Sequence, residues 1–180
     1  MTKPAVDRSV EIELVPASLE QKSILANLLE LYAHDFSEFH DVELGEDGRF
    51  GYQDLPLYWL ETNRHPFLVK IDGRFGGLVL VRKGSKVSGD PNVWDMAEFF
   101  VLRGYRRRGT GTRIAHEVWR KFPGLWEVRV MQANVSAHQF WEHAIAAFTG
   151  NALHSSGFEE NGERWRFFSF ESAPHITTGL

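Results

Sequence analysis

"EFFVLRGYRRRGTGTRI", residues 98–114, runs from an apolar stretch through a basic, glycine-bearing turn into a helical pattern. Upstream, residues 93–102 read as one long strand. Downstream, Ile114, Ala115, Val118, Trp119 and Phe122 fall on a single helix face. Arg120 and Lys121 complement that helix's C-terminal dipole, and Pro123-Gly124 stops it. The turn itself, Arg106 to Gly111, has three physical readings: a nucleic-acid patch, a phosphate cradle, or a solvated turn. In a strand–loop–helix setting, backbone N–H groups and the helix N-terminus converge on an anion without any side chain. Glycines let that anion approach closely. Two common phosphate motifs are excluded. A dinucleotide fingerprint needs a third Gly where Ile114 stands. Gly104 and Gly109 have P-loop spacing, but Thr110-Gly111 follow where Lys-Ser/Thr is required.

Working outward, residues 10–15 read as a first strand. Ser18-Leu19-Glu20-Gln21 is a capping box, and Ile24, Leu25, Leu28, Leu29 and Tyr32 carry a helix to about His34. Residues 35–52 read as loop and 55–61 as a short helix. Residues 67–71 and 75–81 form a β-hairpin across Asp72-Gly73, a pair that tolerates the positive φ of a tight turn. Residues 83–92 are loop and 126–131 a strand. Ala137, Phe140, Trp141, Ala144, Ile145 and Phe148 give another amphipathic helix, and 164–170 the last strand. The order β-α-(α)-β-β-β-α-β-α-β predicts one mixed α/β domain of α+β type over 1–180. Its core spans about 10–170, and both termini are expected to fray.

A chain of 180 residues suits one domain, and at that length roughly 70% of the unfolded surface can be buried. It has no cysteine, which removes disulfides, thiolate metal ligands and a cysteine nucleophile. No leader or membrane span is read, so the expected location is the cytoplasm. A net charge of -4 disfavours nucleic acid. Charge is segregated, however. Residues 35–54 hold seven acids against one base, Arg49, while residues 103–113 hold five arginines and no acid. That pattern fits separate sites for a cationic and an anionic ligand. Each segment alone is equally well a solvated face. His138 and His143 are five apart on a helix, which splays them, so no metal site is expected. No serine sits in a nucleophile elbow.

Arg106-Arg107-Arg108-Gly109-Thr110-Gly111 resembles the pyrophosphate loop of the GNAT superfamily of acyl-CoA-dependent N-acetyltransferases. The whole of residues 98–114 resembles that superfamily's fourth strand, loop and third helix. Residues 132–141, "QANVSAHQFW", resemble its next block through Asn134, Ala137, Phe140 and Trp141. Element order agrees over about residues 10–170. The resemblance implies a mostly antiparallel twisted sheet, flanked by helices, whose central strands splay apart. It also implies acetyl-CoA as co-substrate, an amine acceptor, and neither metal, nucleic acid nor membrane as partner. A homodimer is left open.

On that resemblance the acyl carbonyl meets a backbone N–H among Phe99, Phe100 and Val101, where the strand splays. Backbone amides from about Arg107 to Thr112, by way of Arg108, Gly109, Thr110 and Gly111, hold the pyrophosphate. Arg106, Arg107 and Arg108 add charge. An alkylammonium with pKa ~10.4 is mostly protonated at neutral pH, so the reaction is helped by a base. Glu98 is the candidate. Plain alternation places it among Trp94, Met96, Phe100 and Leu102, unless a bulge intervenes. A carboxylate among apolar neighbours has a raised pKa. Its alternative role is a hydrogen-bonded strand-end carboxylate. Asn134 is either a cofactor contact or a helix cap. Trp141 stands where the superfamily usually has a tyrosine acid. Its N–H is no practical acid, so it packs on pantetheine or in the core. The acidic segment 35–54, with Tyr52, Tyr58 and Trp59 nearby, suggests a cationic small-molecule or peptide amine. A non-catalytic acyl-CoA binder or partner-binding module on the same fold is the alternative.

Overall fold

Asp72 and Gly73 both adopt positive φ, 49° and 74°, and fold β2 (Arg64–Ile71) back on β3 (Arg74–Lys83) as their sequence predicts. The computed structural model describes residues 10–172, so the expected fraying of both termini lies outside the described residues. Before the hairpin come β1 (Ile12–Pro16), the capped 3₁₀ turn Leu19–Gln21, α1 (Lys22–Phe36) and α2 (Leu57–Leu60). After it come β4 (Trp94–Val101), α3 (Thr110–Lys121), β5 (Gly124–Met131) and α4 (Val135–Thr149). β6 (His154–Glu160) and β7 (Glu163–Ser172) complete the order. Strand β6 is absent from the sequence reading, which ends on one strand. Its residues His-Ser-Ser-Gly-Phe-Glu-Glu offer a single large apolar side chain and no alternation to detect. Asn161 and Gly162, at φ 54° and 79°, close it on β7 with the same kind of turn as Asp72-Gly73. Among the described residues no helix is long and apolar enough to cross a membrane.

The seven strands form one sheet in the order β1-β2-β3-β4-β5-β7-β6. Every neighbouring pair is antiparallel except β4–β5. Helices α3 and α4 cover one face, where Ile114, Val118, Trp119 and Ile145 pack on Val69, Val79, Val81 and Phe168. On the other face Leu25, Leu28 and Leu29 of α1 pack on Leu68, Leu78, Leu80 and Phe100. Strand β3 is therefore buried on both sides, which explains its unbroken run Leu78-Val79-Leu80-Val81.

Two departures from regular geometry prepare the site. Strands β4 and β5 pair only at Trp94–Trp126 and Asp95–Glu127, after which they part. The paired end is pinned by buried polar contacts: Arg82 donates to Asp95 at 2.5 Å, and Ser85 donates to Glu127. The second departure is a bulge at Ala97. Leu80 faces Glu98, but Val81 faces Met96. The extra residue corrects simple alternation, because Trp94 and Met96 stay on the α3–α4 face while Glu98 joins Phe100 and Leu102 on the α1 face.

Gly77 shows how closely β3 approaches β4. A Cβ there would lie 2.1 Å from the Phe100 carbonyl oxygen. Gly77→Ala is expected to destabilise the fold by about 1–3 kcal/mol through overpacking. Thermal melts should read this as a loss of roughly 2–4 °C per kcal/mol. An unchanged melting temperature would contradict the close approach.

Candidate active site

Where β4 leaves β5, its facing edge has no ladder partner from Met96 to Val101. The gap opens into a groove of about 620 Å³. Its floor includes Phe99, Phe100 and Val101, and its far end is the turn before α3. Gly109 is the N-cap of α3 in the left-handed region at φ 71°, and Arg107 is left-handed as well at φ 65°. Arg107, Gly109, Gly111 and Thr112 line the groove, whereas Thr110 is buried beneath the turn. The first-turn amides of α3 have no helical partners and carry the positive end of the helix dipole. Gly111 fits against Phe140 so tightly that a Cβ would stand 3.0 Å from the ring. Arg108 is exposed and lies outside the groove lining.

Arg106 also lines the groove, but its guanidinium is engaged. Its Nε donates to the Val101 carbonyl and its Nη2 to Asp35, both at 2.6 Å, with the guanidinium over the Phe100 ring. Arg103 also donates twice to Asp35, at 3.1 and 2.6 Å. Partial burial pushes the Asp35 carboxyl up, but the bonds from Arg103 and Arg106 prevail and hold it below 3.8. The acidic and basic segments thus meet at Asp35 and are not wholly separate surfaces, as charge patterning suggested. Asn134 is the N-cap of α4, its Oδ1 accepting from the Ala137 amide at 3.0 Å while the residue borders the groove. Trp141 is in the core. It lies edge-on to Phe99 and Phe140, and it lines a second cavity rather than the groove.

A second cavity of about 340 Å³ adjoins the first across Tyr32, Phe36, Phe99, Asn134 and Ala137. Glu98 lines it and accepts a hydrogen bond from the Tyr52 hydroxyl at 2.9 Å. Burial raises the Glu98 carboxyl, and hydrogen bonds from Tyr32 and Tyr52, with the charge of Arg129, only partly offset that rise. Burial and the neighbouring carboxylate in turn push both tyrosine hydroxyls up. The segment after α1 is tied over this cavity. Glu30 accepts from the Phe50 and Gly51 amides at 2.8 and 2.9 Å, and His40 bonds Glu163 of β7 at 2.5 Å. None of the acids of 35–54 lines the second cavity. Asp35 and Glu38 of that segment line the adjoining groove instead.

Sequence reasoning brings Phe99, Phe100, Val101 and the glycine turn together with Glu98. It misses Tyr32 and Arg129. Tyr32 looked like one more member of an apolar helix stripe, although a tyrosine there carries a hydroxyl that needs a partner. Arg129, in an apolar strand, was the comparable signal on β5.

The GNAT acetyltransferase family model matches residues 25–145. The chain belongs to this family. It is thus an acyl-CoA-dependent acetyltransferase by class. No curated protein sequence matches it. Among solved structures, an acetyltransferase from Thermus thermophilus superposes with a TM-score of 0.65 at 15% identity, over 89% of this chain and 96% of its own. Spermidine N-acetyltransferase from Vibrio cholerae, in complex with CoA and spermine, gives 0.63 at 12% identity over 89% and 95%. A protein from Salmonella typhimurium, with its cofactor acetyl-CoA, gives 0.60 at 11% identity over 96% and 99%. At these identities the likeness shows the fold.

Glu98 has a consequence for stability. A carboxyl whose folded pKa is raised above 4.5 contributes fully below that value and loses the contribution as pH rises through the folded value. Glu98→Gln should therefore melt close to the wild type near pH 4 and increasingly above it towards neutral pH. A pH-independent difference between the two melting curves would contradict the buried charge.

Proposed function

We propose that this protein transfers an acetyl group from acetyl-CoA to a primary amine, by direct attack within a ternary complex. The observation that carries the reading is the junction of the two cavities. A groove bounded by an unladdered strand edge and a glycine-rich helix N-terminus meets a smaller cavity holding a carboxylate of raised pKa. The residues present suit CoA. Gly109 needs its left-handed conformation, and Gly111 leaves no room for a side chain beside Phe140. Backbone amides of Gly109 to Thr112 would hold the pyrophosphate, with charge from Arg107 and Arg108. Arg106 is better placed as a brace between β4 and α1 than as a phosphate ligand.

When bound, acetyl-CoA supplies an activated thioester carbonyl. On the β4 edge, Phe99 and Val101 offer N–H groups to that oxygen, fixed by the fold before reaction, whereas the Phe100 N–H is turned to β3. Glu98 takes the proton that the amine must lose. Its raised pKa brings it nearer the pH at which a base works best, and Tyr52 and Tyr32 orient it. Trp141 backs Phe99 and supplies no acid, so departure of the thiolate relies on another group or on solvent. That same substitution favours a second reading, an acyl-CoA binder without turnover.

A free-thiol release assay with acetyl-CoA and a panel of amines separates the two readings. The enzyme is expected to turn over, and Glu98→Gln to lower kcat at least a hundredfold, the lower bound for a positioned base. Wild-type rates in that variant across pH 6 to 9 would remove Glu98 as the base. Acetyl-CoA should raise the melting temperature by binding linkage. Gly111→Val should abolish the shift by crowding Phe140 and the turn. No shift with wild-type protein at millimolar ligand would count against the whole assignment.

A further inference from the structure

Arg129 projects from β5 on the α1 side of the sheet and lines the second cavity. Its side chain is 17% exposed. It makes no hydrogen bond among the described residues, and its buried Nε has no partner. The carboxylates around it are engaged elsewhere or pair with it only loosely. Asp95 is held by Arg82 at 2.5 Å, Glu98 accepts from Tyr52, and Glu160, half-exposed on β6, pairs with the Arg129 Nη1 at 3.8 Å, too far for a hydrogen bond. A guanidinium has five donors in a planar fork that matches a carboxylate, and leaving the buried Nε unmet is costly. The other walls are mostly aromatic or apolar, including Phe36, Phe50, Met131 and Trp165. Trp165 lies under the Arg129 guanidinium at 5.7 Å and continues into Phe158 and Phe167.

The geometry points to an acceptor that carries its own anion: an amino acid, or a like zwitterionic amine, with an apolar or aromatic body. This rests on the acetyltransferase reading of the same site. The amine goes to Glu98, the carboxylate to the Arg129 fork, and the body to the Phe50–Trp165 wall. Arg129 is the residue that sets specificity. A polyamine finds one carboxylate here, opposed by a guanidinium, and a peptide N-terminus lacks the free carboxylate that Arg129 would read. The cavity of about 340 Å³ lies at the small end of ligand pockets, which run roughly 300–1,000 Å³.

The test compares ligands differing in that charge alone. Phenylalanine, phenylalaninamide and 2-phenylethylamine keep the ring and the amine while the carboxylate is present, neutralised or removed. Leucine with isoamylamine repeats the comparison without a ring, and spermidine is the polycationic control. Binding to the protein saturated with CoA is measured by calorimetry, and kcat/KM by thiol release. Each carboxylate-bearing amine is expected to bind at least tenfold more tightly than its neutral counterparts and spermidine, with kcat/KM in the same order. Arg129→Met should bring that ratio to about one, and Arg129→Lys should restore part of it. Equal or tighter binding by the uncharged members or spermidine overturns the proposal, as does no binding by any of them. A ratio unchanged in a folded Arg129→Met protein also overturns it. Binding in the expected order without thiol release would instead sustain the acceptor class and refute the catalytic reading.

Discussion

The short pairing of β4 with β5 is the constraint from which the site follows. Two residue pairs join these strands, and the join is the one parallel step in the described sheet. Beside it, part-buried polar contacts tie each strand to the β3 side of the sheet: Arg82 of β3 holds Asp95 of β4, and Ser85, just after β3, holds Glu127 of β5. Everything beyond must diverge, because both strands are also locked into antiparallel ladders on their outer sides. The gap is thus bounded on both sides by the rest of the sheet. Helix α3 begins at one end of the gap, and α1 with its following segment roofs the other.

Placing Glu98 at the junction opposes stability. Its charged form is disfavoured by burial, and the structure compensates with tyrosine hydroxyls and a nearby arginine rather than a direct ion pair. A tight ion pair would have lowered its pKa and occupied the oxygens that the amine reaches in the proposed reaction. Hydroxyl donors keep the carboxylate oriented and leave it basic. Buried tyrosines with raised pKa values suit that task, because they remain neutral donors at any working pH.

Much of this was legible in residue order. Asp72-Gly73, the apolar faces of α3 and α4, and the strand–turn–helix around Gly109 and Gly111 are local signals, and each appears where its chemistry requires. The rest depended on partners far along the chain. Asp35 meets arginines 68 and 71 positions away, and Tyr52 meets Glu98 across 46. No periodicity reports such pairings. Strand β6 was missed for a different reason: its inner face borders an aromatic and polar surface rather than a core, so it lacks apolar alternation. Asn161-Gly162 was nevertheless a readable turn signal of the kind that located the first hairpin.

The bulge at Ala97 has a consequence for how this stretch can vary. Side chains on β4 can drift as long as volume and polarity are kept, since each has its own neighbours. Loss of Ala97 would leave Met96 and Glu98 as consecutive residues, still on opposite faces and still facing Val81 and Leu80, and would remove only the local bend. The extra residue thus shapes the path of β4 as it leaves β5, and the facing of Glu98 does not depend on it.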